Sequence, residues 1–162
     1  MSTVAEYSAN AIWSSDLRAL QTEVPVDVIH MAEVLGLKVW QQEMDGYSGL
    51  IKKDARHGGP AGYSVIVNKS DARPRQRFTI AHEIGHFLLH RDRIGDGLKD
   101  DALYRSGLST REEVEANKLA AMILMPFHLL DREVRSGVTV QDLADKFGVS
   151  KQAMSIRLGI PE

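Results

Sequence analysis

Cysteine is absent from all 162 residues, which rules out a disulfide framework and any thiolate-ligated zinc. Long apolar runs are missing too. The longest, residues 119–125, is far too short to span a bilayer. The opening MSTVAEYSANAIWSSDLRAL has no basic segment followed by an apolar one, so a cytoplasmic protein without a secretory signal or membrane partner is expected. There is neither an internal repeat nor a low-complexity segment. What remains is 43% hydrophobic and long enough to bury a sizeable core unaided by disulfides or structural metals. We expect one domain over 1–162, with 138–162 a C-terminal helical segment packed on it.

The net charge of −2 hides an uneven spread. Residues 1–51 carry two basic and seven acidic side chains, whereas 52–93 carry nine basic and four acidic. The basic block includes Lys69, Arg73, Arg75 and Arg77. It reads equally as a rim that favours an acidic partner and as a solvated approach to a helix.

Along the chain, a first helix is expected over 9–21 and a second from Pro25 to the stop at Gly36. Strands follow at 37–41, 47–52 and 63–68, the last (YSVIVN) rich in β-branched residues. A helix launched near Pro74 should run to about His90. Residues 91–109 lack a period and read as a long loop, of the kind often used as a lid. Helices at about 111–124, 127–135, 139–147 and 150–158 complete an α+β chain, a small sheet flanked by helices.

The most informative run is His82-Glu83-Ile84-Gly85-His86, an H-E-x-x-H pattern inside a helical segment. At about 100° per residue, with His82 as zero, His86 falls near 40° and Glu83 near 100°. Ile80, Ala81, Ile84, Phe87 and Leu88 fall on the opposite side. Two imidazoles four residues apart can reach one metal ion, and Glu83 can act on water held there. Zinc suits this donor set best, although manganese or iron accept it too. The bland alternative is a surface helix with three solvated histidines.

A third ligand is needed. His90 lies about 12 Å along the helix from His82 and cannot share the ion. The longer pattern with a glycine and a third histidine fails, because those positions hold Leu89 and Asp92. A glutamate from a second helix remains: Glu112, Glu113 or Glu115. Glu113 is favoured and Glu115 comes next, since Asn117 sits one turn after Glu113 and could hydrogen-bond a liganding imidazole. Against this, Thr110-x-x-Glu113 and Ser109-x-x-Glu112 both match a capping box.

The phrases RQRFTIAHEIGHFLLH and EVEANKLAAMILMP resemble the ImmA/IrrE family of bacterial zinc metallopeptidases, over roughly residues 25–160. The resemblance implies a gluzincin-like endopeptidase with a zincin-like metal helix. His82, His86 and Glu113 would hold Zn2+, Glu83 would be the catalytic base, and Asn117 would support a ligand. Leu119 stands where the family commonly has an aromatic. The implied substrate is a helix-turn-helix transcriptional repressor or antitoxin. Metal-assisted hydrolysis also needs an oxyanion donor, for which Tyr47, Tyr63, Tyr104, His90 and His128 are all chemically able. Were strand 63–68 at a sheet edge, it could align an extended substrate.

Residues 140–158 read as a helix-turn-helix-like pair. Contact with DNA would turn Lys151, Gln152, Ser155 and Arg157 toward bases. Only +1 over residues 134–162 argues against a nucleic-acid partner and for structural packing. The rival class is a DNA- or protein-binding regulator, or the toxin of a toxin–antitoxin pair, whose metal site is largely structural.

Overall fold

Tyr63–Asn68, here β3, is buried at every position and forms the middle of a three-stranded sheet ordered β1-β3-β2. β1 (Leu37–Gln42) pairs with it in parallel and β2 (Gly49–Lys53) antiparallel. Val65 lies between Val39 and Ile51 in the register. A strand paired on both sides and covered on both faces needs β-branched, apolar residues, as YSVIVN supplies. The computed structural model describes residues 17–95 and 110–160. Within them stand six α-helices: α1 (Val28–Val34), α2 (Arg73–Leu89), α3 (Thr110–Leu124), α4 (Phe127–Glu133), α5 (Val140–Phe147) and α6 (Lys151–Leu158).

Several expectations need correction. β3 is central, so its backbone is spent on β1 and β2 and cannot align a substrate. Pro25 does not open α1. Asp27 caps that helix by accepting the His30 N–H at 3.0 Å, and the helix begins at Val28. A carboxylate that satisfies an orphan N–H decides a helix start over a nearby proline. Of the first expected helix, residues 9–16 lie outside the described residues, and Arg18–Leu20 form a 3-10 turn. Residues 96–109 of the expected loop also lie outside them. Its beginning is anchored: Ile94 is buried and Gly95 O accepts the Lys53 N–H at 2.8 Å.

The turn between β2 and β3 is organised by Asp54. Its carboxylate accepts the His57 N–H at 2.9 Å and the Ser64 hydroxyl at 2.9 Å. The His57 N–H is the main reason this carboxyl lies below the usual aspartate range. Ser64 Oγ in turn accepts the Trp40 indole N–H at 3.1 Å, tying β1 to β3 through side chains.

α5 begins with a reciprocal capping box between Thr139 and Asp142 and ends at Gly148, whose φ of 67° places it in the left-handed region. Ser150 then caps α6. Leu143, Ala144, Phe147, Val149 and Met154 join the same buried cluster as Ile84 and Val65. Complete burial of a side chain such as Phe147 is worth roughly 1.5–3 kcal/mol. At the joint with α4, Lys146 Nζ donates to Glu133 Oε2 at 2.5 Å. That hydrogen bond is the first reason the Glu133 carboxyl lies below its ordinary range. A depressed carboxyl contributes stability above its unfolded pKa and loses it as pH falls through the folded value. Glu133→Gln should therefore melt below wild type at neutral pH. The gap between the two calorimetric curves should close on acidification below the ordinary glutamate range.

Candidate metal centre

Pro74 sits in the first turn of α2, where a missing N–H does no harm. From Thr79 to Leu88 every residue of this helix is buried. The sequence pattern implies an apolar face turned inward and an open polar face. In the structure α3 lies across the polar face and closes it. His82 is 5% exposed and Glu83 and His86 are 1% each, which disposes of a surface helix with solvated histidines. Gly85 makes the close approach possible, because a Cβ there would stand 3.0 Å from Ala116 O and 3.2 Å from Ala116 Cα. Phe87 meets Tyr63 of β3 edge-on at 5.2 Å between ring centroids, on the sheet side.

Three side chains converge between α2 and α3. His82 Nε2 lies 3.1 Å from Glu113 Oε2, and His86 Nε2 lies 3.1 Å from Glu113 Oε1. Their ligand atoms all fall within 4.8 Å of one another. The other expected glutamates go elsewhere. Glu115 Oε1 lies 3.0 Å from His90 Nε2, and Glu112 Oε1 lies 3.3 Å from Arg93 Nη1. The capping-box readings at the start of α3 reach Ser109, which lies outside the described residues.

Does this donor set fit a divalent cation? Ligands about 2 Å from a tetrahedral zinc stand about 3.3 Å apart, close to the separations seen. His82 Nε2 is buried and, despite its nearness to Glu113, makes no hydrogen bond of acceptable geometry. A buried nitrogen left in that state is unfavourable unless something else takes its lone pair. The opposite ring atom, His82 Nδ1, donates to Asn117 Oδ1 at 2.8 Å. That bond keeps the proton on Nδ1 and turns the Nε2 lone pair toward Glu113. On these grounds the residues fit a metal.

A family model described as the IrrE N-terminal-like domain matches residues 32–159. The chain belongs to the ImmA/IrrE metallopeptidase family. Among its relatives, the "radiation response metalloprotease IrrE" of Deinococcus radiodurans is 42% identical over 95 residues, covering 54% of this chain and 28% of that protein. The protein of the same name from Deinococcus deserti is 38% identical over 96 residues, covering 57% of this chain and 30% of that protein. The chain thus spans less than a third of the length of these curated relatives. A solved structure titled "Mycobacterium tuberculosis transcriptional regulator" matches 96% of this chain and 46% of its own. At 17% identity and a TM-score of 0.53 it shows the fold alone.

In this family member a cleft of about 1040 Å³ opens beside the three convergent residues. Its walls are Phe78 and Thr79 of α2, Val114 and Met122 of α3, and Gln152 and Ile156 of α6. That α6 forms a wall of the cleft had no local signal in the sequence, because the contact joins segments some 75 residues apart. The basic block is divided. Arg75 lines the cleft, donating to Ser48 Oγ at 2.8 Å. Arg77 instead reaches α5, donating to Gly148 O at 3.1 Å and Phe147 O at 3.3 Å, and its burial lowers its pKa from the usual value. Lys69 and Arg73 are exposed.

The oxyanion-donor candidates are scattered. Tyr63 is buried against Phe87, and His128 Nε2 donates to Gln21 O at 2.8 Å. Both ring nitrogens of His90 are engaged by His86 and Glu115. Tyr47 lines a smaller polar hollow that shares Ser48 and Arg75 with the cleft, and Tyr104 lies outside the described residues.

A β-branched side chain at Gly85 would force α2 and α3 apart. Gly85→Val should lose about 1–3 kcal/mol through overpacking, a melting-point drop of several degrees. Binding of a divalent cation, with zinc as the probe, should weaken in parallel, measured by calorimetry and by competition with a chromogenic chelator.

Proposed function

We propose that this chain is a zinc-dependent endopeptidase that cuts a protein substrate, with a helix-turn-helix repressor or antitoxin as its target. One observation carries the chemistry: two imidazole Nε2 atoms and the Glu113 carboxylate face one another, with the buried Glu83 next to His82 in the chain. His82, His86 and Glu113 are read as the ligands and Asn117 as the group that orients His82. Zinc held by these residues would supply Lewis acidity toward a peptide carbonyl and toward water. Glu83, one residue beyond His82 on the same helix, takes the proton of the attacking water and returns it to the leaving amine. Its burial excludes competing solvent.

The repressor or antitoxin substrate rests on the family resemblance, and the cleft beside the centre is the place for a polypeptide. The regulator reading is weakened by α6. Ser155 is buried, and Arg157 Nε donates to Met125 O at 2.9 Å while its guanidinium lies 3.9 Å from the Phe127 ring centroid. Two of the four side chains that would face bases are therefore committed to the protein. Residues 138–162 are accordingly read as part of the peptidase domain.

Glu83→Gln should keep its zinc and cut at least roughly 100-fold more slowly. His86→Ala and Glu113→Ala should lose the metal. Elemental analysis of the purified variants gives the metal content. Co-expression with a neighbouring repressor-like protein, followed by intact-mass measurement, reports the cut. Equal zinc in wild type and His86→Ala would sink the ligand assignment.

A further inference from the structure

The two imidazoles are held in different ways. His82 leans on a fixed amide, Asn117 Oδ1. His86 leans on a second imidazole: its Nδ1 lies 2.9 Å from His90 Nδ1, and His90 Nε2 lies 3.0 Å from Glu115 Oε1. His86 and His90 are 1% and 9% exposed, so water has little part in the chain. Arg111, one turn before Glu115, stands 3.9 Å from its other oxygen but is largely exposed and adds little.

Each neutral ring carries one N–H, so two proton orders place a hydrogen between the two Nδ1 atoms. In the first, His86 Nδ1–H donates to His90 Nδ1 and His90 Nε2–H donates to the Glu115 carboxylate. The His86 Nε2 lone pair then faces Glu113, as a metal ligand must. In the second, His90 Nδ1–H donates to His86 Nδ1, and His86 carries its proton on Nε2. That proton points at Glu113 Oε1, 3.1 Å away, and blocks the coordination position. Without metal, the first order sets the bare His86 Nε2 against Glu113 and this one sets the bare His90 Nε2 against Glu115; a cation at His86 Nε2 relieves only the first.

We infer that Glu115, acting through His90, selects the His86 tautomer that leaves Nε2 open for metal. Glu115 and His90 are thus positioning residues for the centre, two side chains away from the ion and not in contact with it. Only the ligand half of the proposed function is needed for this assignment. The tests read metal and protons, so they stand even if no substrate is ever cut.

The test compares wild type, Glu115→Leu and Glu115→Gln, each made metal-free and selectively labelled at histidine nitrogens. Long-range 1H–15N spectra of the apo proteins should show more of the His86 Nδ1–H tautomer in wild type and in Glu115→Gln, whose amide oxygen accepts the same hydrogen bond, than in Glu115→Leu. In Glu115→Leu the signal should shift toward the Nε2–H form. Zinc affinity from chelator competition should fall roughly 10- to 100-fold in Glu115→Leu and stay within about threefold in Glu115→Gln. An unchanged His86 tautomer or unchanged zinc affinity in Glu115→Leu overturns the inference. So does a glutamine variant that behaves like leucine.

Discussion

The backbone of α2 at Gly85 touches the backbone of α3 at Ala116, and the site depends on that contact. With a side chain between them, Glu113 would fall short of the Nε2 atoms of His82 and His86, since a carboxylate reaches only the length of its own stem. The glycine inside the H-E-x-x-H run is therefore as much a part of the centre as its histidines. It forgoes up to about 1 kcal/mol of helix propensity relative to alanine, offset by the packing of the two helices against each other.

That contact creates an electrostatic problem. Three imidazoles and the carboxyl of Glu83 lie buried within three turns of one helix. Buried polar groups of this density are unfavourable unless each is matched by a partner. Asn117 serves His82, and His90 with Glu115 serves His86, which leaves the two Nε2 atoms converging on Glu113. A cation that binds the folded form and not the unfolded one stabilises such an arrangement by mass action. Stability and chemistry are thus coupled through the same three side chains.

The C-terminal helices serve the centre from a distance. Arg77 of α2 donates to the carbonyls at the α5–α6 corner, and Arg157 of α6 donates to the end of α3. Guanidinium-to-carbonyl bonds of this kind are strong because the donor is charged. They hold α6 against the mouth of the cleft, where Gln152 and Ile156 form a wall. A helix pair that in isolation reads as a recognition module is here joined to α2 at its corner and to the end of α3 through α6.

Local patterns revealed much of this arrangement because their causes are local. The strand YSVIVN, the capped helices at the C-terminus and the paired imidazoles follow from side-chain branching, turn chemistry and the helical repeat. Glu113 and Asn117 could be singled out because they lie one turn apart beside a recognisable phrase. The start of α1 was misread, since a proline and a capping aspartate two residues apart offer competing signals. The central place of β3, the burial of the ligand-bearing face, the engagement of Glu115 with His90 and the turning of α6 toward the cleft were decided only by tertiary structure. Each depends on which surfaces distant segments bury against one another, and no short stretch of chain carries that information.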